Sequence, residues 1–236
     1  MAKSPRPDRV NVIYAALRKA ILEQALEPGR RLPEDTIGEQ FGVSRTLVRY
    51  ALNQLASEGL VVQQRNRSAT VAHPSWDDAQ DTFEIRIALE RLVVSRLVGA
   101  LSQTQIDALL AHVREEEEAA RNGRELLSLR LAGEFHIKLA DMTESELLSR
   151  LAREFASRCS LILSLYSRPH SSECAIDEHR ELVELLRKGD EERASEAMTT
   201  HLRAVAQRAL VTPQRKKGRD IADILAPYVD AQPSGG

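Results

Sequence analysis

The chain has 236 residues, of which 42% are hydrophobic, 29% are charged and 4% are aromatic. This length suits two domains, and this balance of hydrophobic and charged residues suits a protein that folds in water. The sequence contains no run of about 18 apolar residues that would span a membrane. Residues 1–7 lack the apolar core of a signal peptide. We therefore expect a cytoplasmic protein without membrane partners.

The cysteine content excludes the class of small proteins held together by disulfides. Cys159 and Cys174 are the two cysteines, and they form no CxxC motif for redox work or zinc binding. We expect both to be buried or half-buried free thiols.

The formal net charge of −2 hides an asymmetry between the two parts of the chain. Residues 1–73 contain 11 Lys and Arg against 7 Asp and Glu, a net charge of +4, so the remainder carries −6. A basic part joined to an acidic part is typical of a DNA-binding domain attached to a domain that stays off the DNA.

The predicted elements of the first part are three helices and a hairpin. Residues 1–8 are expected to be a disordered arm, and apolar residues at helical spacing predict a first helix over Asn11–Leu26. Pro28, Gly29 and Pro33 interrupt the chain, and a short second helix is predicted over Glu34–Phe41. Residues 59–64 and 69–72 have strand character, with a basic hairpin tip between them.

Residues 41–49, with the sequence FGVSRTLVR, have the pattern of a helix-turn-helix. Gly42 supplies the left-handed conformation of a sharp turn, and Ser44 is a natural N-cap for the next helix. Leu47, Val48, Ala51, Leu52 and Leu55 share the inner side of that helix. Arg45, Thr46 and Arg49 project from the exposed first turns of this helix, where a recognition helix contacts base edges and phosphates. The hairpin would form a wing, with Arg65 and Arg67 placed for phosphate or minor-groove contact.

These residues resemble the N-terminal domain of GntR-type bacterial transcription regulators. The resemblance rests on EPG at 27–29, LPE at 32–34, GVSRTLVRYAL at 42–52 and EGLV at 58–61. It implies a winged helix-turn-helix in which Ser44, Arg45, Thr46 and Arg49 contact the operator. Members often have a basic residue after the glutamate of the second helix, whereas this chain has Asp35. The resemblance therefore implies a lost contact or a different operator preference at that position.

A linker over residues 74–78 leads to a second domain, predicted over residues 79–211 as an all-helical bundle. Its first helix is predicted over Asp81–Ala100, with Ile85, Leu89, Val93 and Leu97 on one side. Five further helices are predicted over 102–121, 125–140, 145–167, 175–188 and 191–210. The tail, residues 212–236, contains a basic run and one potential short amphipathic helix over 221–229.

Three histidines, His136, His179 and His201, lie on apolar faces of three different predicted helices. Neutral imidazoles that converge inside a bundle are suitable ligands for zinc or nickel. Each histidine taken alone is equally consistent with a core residue that has a hydrogen-bond partner. From these residues alone, a divalent metal and a structural role both remain open.

The same region resembles the FCD effector domain of the FadR branch of the GntR family. The matching residues include EIR at 84–86 with Glu90, EFH at 134–136, EH at 178–179, GD at 189–190 and HL at 201–202. The resemblance implies a metal site formed by three histidines and one aspartate, with His136, His179 and His201 as the histidines. The aspartate position is occupied by Ala132, which cannot ligate a metal. Water or an effector would then complete the coordination.

Arg86 is the predicted effector-binding residue. The resemblance places an arginine at this position towards the effector cavity, where it would bind a carboxylate bidentately. The alternative from the residues alone is an arginine paired with Glu90 one turn away. We expect the effector to be a small organic acid. A metal-free apolar or acyl-binding pocket is the competing hypothesis.

These observations predict a mainly α, homodimeric, ligand-responsive repressor that binds palindromic operator DNA. Two other classes are considered. A metal-dependent enzyme fused to a DNA-binding head would need a catalytic motif, and we find no HExxH, phosphate loop or nucleophile–base pattern. A constitutive architectural DNA binder would use the bundle for dimerisation only.

Overall fold

The structure is a computed structural model that describes residues 6–23, 25–63, 67–166, 173–209, 221, 225 and 226. The described residues divide into two compact units. The N-terminal unit contains those up to His73 together with residues 221, 225 and 226 of the tail, and the C-terminal unit contains residues 74–166 and 173–209.

The N-terminal unit is a winged helix-turn-helix. Its helices are α1 (Arg6–Leu22), α2 (Glu34–Phe41) and α3 (Arg45–Ser57), and its strands are β1 (Arg31–Leu32), β2 (Val61–Val62) and β3 (Ala69–Val71). The three strands form an antiparallel sheet in the order β1-β3-β2, in which Leu32 pairs with Ala69 and Val61 with Val71. The unit closes over a core of fully buried side chains, among them Ile13, Leu17, Ile37, Leu52 and Leu60.

The turn between α2 and α3 depends on two glycines. Gly42 ends α2 in the left-handed conformation, with φ 60° and ψ 39°, which is the conformation predicted for it. Gly38 lies inside α2, and a Cβ atom there would stand 2.9 Å from the carbonyl oxygen of Val43. The backbone of the turn can therefore approach α2 closely only because residue 38 has no side chain.

Several predicted boundaries in the N-terminal unit were wrong. Helix α1 begins at Arg6, inside the predicted arm, and ends at Leu22 rather than at residue 26. Strand β1 was not predicted, because its two residues carry no alternation that a sequence pattern can detect. The two wing strands are shorter than expected, and residues 64–66 between them lie outside the described part of the chain.

The C-terminal unit consists of helices in its described residues, as predicted. They are α4 (Trp76–Leu97), α5 (Gln103–Arg121), α6 (Glu125–Met142), α7 (Glu146–Tyr166), α8 (Glu173–Lys188) and α9 (Glu191–Ala209). Helix α4 packs against α6, α7 and α9, and α5 packs against α6 and α8. Leu and Val side chains fill the space between the helices, with Phe135 fully buried near the middle.

The predicted linker, residues 74–78, was too long. Ser75 is the N-cap of α4 and forms a capping box with Asp78, so the helix begins at Trp76. Ile85, which the sequence groups on one side of α4 with Val93 and Leu97, is 53% exposed, whereas those two residues are buried. The buried face of α4 carries Arg86 and Glu90 instead, and a hydrophobic pattern cannot anticipate buried charges.

The described part of the tail belongs to the N-terminal unit. Ile221 and Leu225 are both buried. No helix in the described ranges is long and apolar enough to cross a membrane.

Candidate functional site

The predicted DNA-contacting residues lie together at the start of α3. Ser44, Arg45, Thr46 and Arg49 are all exposed, whereas Val48, Ala51, Leu52 and Leu55 are buried on the opposite side of the helix. Leu47 is half-buried. Ser44 occupies the N-cap position, but its side chain makes no capping hydrogen bond. Its hydroxyl group is therefore not used to stabilise the helix.

Both arginines of α3 are paired with carboxylates at the start of α2. The Arg49 Nε donates to Glu34 Oε1 at 2.9 Å, and its Nη2 donates to Glu34 Oε2 at 2.7 Å. Arg45 forms an ion pair with Asp35 through its Nε. The hydrogen bond from Arg49 lowers the pKa of the Glu34 carboxyl, so this group is a carboxylate at neutral pH.

The two remaining predicted DNA-contacting residues belong to the wing. Arg67 is exposed between β2 and β3, where a wing contact to DNA requires it. Arg65, the other predicted wing residue, lies outside the described residues.

The three predicted metal-binding histidines converge inside the C-terminal unit. His136 on α6, His179 on α8 and His201 on α9 are each at most 4% exposed. The Nε2 atom of His201 lies 3.2 Å from His136 Nε2 and 3.3 Å from His179 Nε2. All three histidines therefore present the same nitrogen to a common point.

Each of these histidines contacts a different carboxylate through its other ring nitrogen. Glu116 Oε2 lies 2.9 Å from His179 Nδ1, and Glu178 Oε2 lies 2.6 Å from His201 Nδ1. Glu90 contacts His136 Nδ1 in the same way. An ionised carboxylate only accepts hydrogen bonds, so opposite such a group the proton of a neutral imidazole belongs on Nδ1 and the lone pair on Nε2.

This donor set fits a divalent metal ion. Zinc bound tetrahedrally by imidazoles at about 2.0–2.1 Å requires its nitrogen ligands to be about 3.3 Å apart, and the two separations at His201 are close to that value. Carboxylates that accept from Nδ1–H are the usual outer partners of metal-binding histidines, because they fix the ring orientation and increase the basicity of Nε2. The arrangement fits even though Ala132 supplies no ligand.

The electrostatic environment keeps two of the imidazoles neutral. Burial lowers the pKa of His136 to about 3, although the nearby Glu90 carboxylate opposes this change. Burial also lowers the pKa of His179 well below its usual value, and the neighbouring His201 acts in the same direction. Neutral imidazoles are the form that coordinates metal ions, so protons do not compete for these nitrogens near neutral pH.

Arg86 belongs to the same buried network. Its side chain is 5% exposed, and its Nε donates to Glu90 Oε1 at 2.6 Å, while the other oxygen of Glu90 faces His136. Burial would raise the pKa of Glu90, but His136 and Arg86 outweigh this effect and lower it. The Cys159 thiol lies beside the guanidinium, and burial raises its pKa, so it is an unreactive buried thiol of the predicted kind. The side chain of Cys174 is outside the described residues.

Glu116 belongs to the candidate metal site through its contact with His179 and was missed by sequence reasoning. It lies within the run Glu115–Glu118, which has the composition of a solvated surface, yet it is fully buried. Burial raises the pKa of its carboxyl to about 7, against the opposing influence of His112 and His201. Glu116 follows Leu109, His112 and Val113 by seven, four and three residues, which places it on the same face of α5. Those three residues line the buried face of the helix, so this spacing was the signal that Glu116 is buried.

Comparison with known proteins identifies the domain family of each unit. The model of the bacterial regulatory proteins of the gntR family matches residues 9–71, and the FCD domain model matches residues 81–204, which is more than half of the chain. The chain belongs to the GntR family. It carries the FCD domain of the FadR branch, and the families that match it contain transcription regulators rather than enzymes.

The sequence similarity to other regulators extends over most of this GntR regulator. It is 28% identical to the HTH-type transcriptional regulator YdhC of Bacillus subtilis over 192 residues, which cover 80% of this chain and 85% of YdhC. It is 24% identical over 196 residues to the HTH-type transcriptional repressor RspR of Escherichia coli, covering 83% of this chain and 86% of RspR.

Solved structures agree with the fold. A GntR regulator from Rhodococcus sp. RHA1 has a TM-score of 0.74 at 23% identity, covering 86% of this chain and 97% of that one. McbR/YncC of E. coli has a TM-score of 0.73 at 21% identity, covering 83% and 94%. At these identities the likeness establishes the winged helix-turn-helix and helical architecture alone.

Proposed function

We propose that this GntR regulator is a ligand-responsive repressor whose C-terminal unit binds a divalent metal ion and a small carboxylate effector. The observation that carries the proposal is the convergence of three buried imidazole Nε2 atoms, each with its Nδ1 on a separate carboxylate. The relative RspR is named a repressor, which supports the same sign of regulation here. The regulator would act in the cytoplasm, where bacterial operators lie.

His136, His179 and His201 would hold the metal through Nε2. The bound ion would supply a Lewis-acidic position that accepts a carboxylate or water oxygen, because three protein ligands leave coordination open. Zinc suits the spacing of the nitrogens, and nickel suits the same ligands. Ala132, in place of an aspartate, leaves one more position for the effector.

Arg86 would attract the effector carboxylate electrostatically, in addition to its role in fixing Glu90. Its guanidinium has five donors, and Glu90 accepts from Nε. The competing hypothesis is a metal-free pocket for an apolar or acyl effector. The convergence of buried polar groups on one point favours the metal and the small acid, since an apolar ligand would leave those groups unsatisfied.

The exposed face of α4 supports dimerisation. Ile85 is 53% exposed and Leu92 is 45% exposed, with the small residue Ala88 between them. Acidic residues precede Ile85, and Arg91 and Arg96 lie in the second half of the helix, so two antiparallel copies of α4 would place opposite charges together. Ala88→Arg would then convert a dimer to a monomer in sedimentation velocity, and an unchanged dimer would contradict this interface.

Elemental analysis of protein purified without chelator tests the metal site. We expect about one equivalent of zinc or nickel in the wild type and none in His179→Ala. His112→Asn is the matched control, because His112 is also a buried histidine of this unit but its Nε2 contacts the Leu131 carbonyl oxygen. Equal metal in the wild type and His179→Ala would contradict the site, and circular dichroism would confirm that each variant is folded.

Selection of duplexes from a random-sequence library tests DNA binding and its symmetry. We expect the wild type to select a palindromic site, with one recognition helix in each half. Arg45→Ala should weaken binding to the selected duplex and reduce the steepness of its salt dependence or its preference at one base pair. Unchanged affinity and preference across a salt series would contradict the assigned role of α3.

Addition of small carboxylates to the complex of the protein with the selected duplex then identifies the carboxylates that release the DNA.

A further inference from the structure

We propose that Asp35 is a specificity-determining residue of the DNA-reading surface, because its carboxylate holds the guanidinium of Arg45 in position to read a base. The inference rests on the proposed role of α3 in operator binding and goes beyond it. It assigns a positive function to an acidic residue at a surface that is expected to meet the phosphates of DNA.

Asp35 lies on the same surface as the predicted DNA contacts. An open cleft of about 590 Å³ at the helix-turn-helix is lined by residues from α1, α2, the turn and α3, including Arg9, Asp35, Glu39, Ser44 and Arg45. Two of these residues, Ser44 and Arg45, are the first positions of the recognition helix. The Asp35 carboxylate therefore stands at the place where DNA would approach.

The ion pair between Asp35 and Arg45 is exposed, with the two side chains 53% and 69% accessible. An exposed pair of this kind contributes little to the stability of a fold, because hydration and side-chain entropy offset the attraction. The ion pair instead restricts the position of the Arg45 side chain, which would otherwise be flexible. A positioned arginine loses less conformational entropy when it binds, so the selected base gains an advantage over the others.

The atoms of the pair agree with base reading. Arg45 contacts Asp35 through Nε, and the two terminal Nη groups of an arginine can form the bidentate pair with the O6 and N7 atoms of guanine. The carboxylate also repels phosphate, so it lowers the affinity of this surface for unrelated DNA while the paired arginine retains its contact with the chosen base. Both effects raise the ratio of specific to non-specific binding.

Arg49 provides an internal contrast. Glu34 accepts from both its Nε and its Nη2, which occupies one whole edge of the guanidinium fork. Arg49 is therefore less suited than Arg45 to a bidentate base contact. We expect base selection to depend mainly on the pair formed by Asp35 and Arg45.

The test uses full-length protein and the duplex that the wild type selects from a random library. Asp35→Ala is compared with Glu39→Ala, which removes the same charge from the same cleft without removing the partner of Arg45. Both variants should bind an unrelated duplex more tightly than the wild type does. Only Asp35→Ala should lose discrimination, by about tenfold at one base pair, and Asp35→Ala combined with Arg45→Ala should discriminate there no less than Arg45→Ala alone.

Full discrimination by Asp35→Ala, or equal behaviour of the Asp35→Ala and Glu39→Ala variants, would overturn the proposal and leave operator binding intact. A wild-type protein that selects no sequence from the library would overturn both the operator assignment and the role of Asp35. The two failures are therefore distinguishable.

Discussion

The recognition helix and the histidine centre both pair nitrogen-bearing side chains with carboxylates, the first on the exposed surface and the second in the buried interior. The pairs are Arg45 with Asp35 and Arg49 with Glu34, against three histidines with Glu90, Glu116 and Glu178. The side chains of Arg45 and Asp35 are 69% and 53% exposed, whereas those of His179 and Glu116 are 1% and 0% exposed. Water solvates the members of an exposed pair, so losing one partner costs little stability, whereas a buried charge that loses its partner disrupts the fold. Exposed pairs are thus suited to orienting side chains at a surface that meets DNA, and buried pairs to holding the geometry of an interior site.

The largest expected effect concerns the buried pair of Arg86 and Glu90. Glu90→Gln should destabilise the C-terminal unit by about 3 to 5 kcal/mol, because it leaves the Arg86 charge buried without a counter-charge. The chain contains a single tryptophan, Trp76, at the start of α4. Its fluorescence during urea unfolding in the presence of chelator would therefore report on this unit.

A double variant separates the charge from the packing. Arg86→Met combined with Glu90→Gln removes the uncompensated charge, and the glutamine oxygen can still accept from His136 Nδ1–H. It should recover most of the lost free energy of unfolding. If the double variant is as unstable as Glu90→Gln alone, the charge of Arg86 is not the cause.

The next expected effect concerns metal affinity. At pH 8, above the pKa of about 7 of the Glu116 carboxyl, Glu116→Gln should weaken metal binding about tenfold, because the amide oxygen still accepts from His179 Nδ1–H but carries no charge that strengthens Nε2 as a ligand. Competition with a chelating dye measures the change. Glu117→Gln is the matched control, since Glu117 is the next residue but is 37% exposed and pairs with Arg180. Equal affinities in the two variants would contradict the role assigned to Glu116.

The smallest expected effect on stability concerns the exposed pair of Arg49 and Glu34. In Glu34→Gln, the protection of the α2 and α3 amides from hydrogen exchange should be close to that of the wild type, because hydration offsets the loss of an exposed ion pair. Its affinity for DNA should rise, since one negative charge is removed near the phosphates. If Glu34→Gln lowers the protection of α2 and α3 from hydrogen exchange as much as Glu90→Gln lowers that of the C-terminal unit, the exposed and buried pairs do not differ in their contribution to stability.

Much of the fold was predictable because its elements depend on local patterns. Gly42 predicted the turn, and the apolar residues at helical spacing in α3 predicted the helix that follows it. Both elements are confirmed. Strand β1 was missed because two residues form a strand only by pairing with β3. The exposure of Ile85 was not predictable, because α4 buries an ion pair and an apolar stripe alone does not identify the buried face of such a helix.

The sequence by itself determined the helix-turn-helix, the helical nature of the second unit and the three candidate histidines, since helical spacing, caps and turns act over a few residues. Only the tertiary structure decided which carboxylates meet those histidines, because the partners lie 46, 63 and 23 residues away along the chain. The same is true of the pairing of Arg45 with Asp35, which follows from the close approach of α2 and the turn at Gly38. Packing between helices determines such contacts, and no local pattern encodes them.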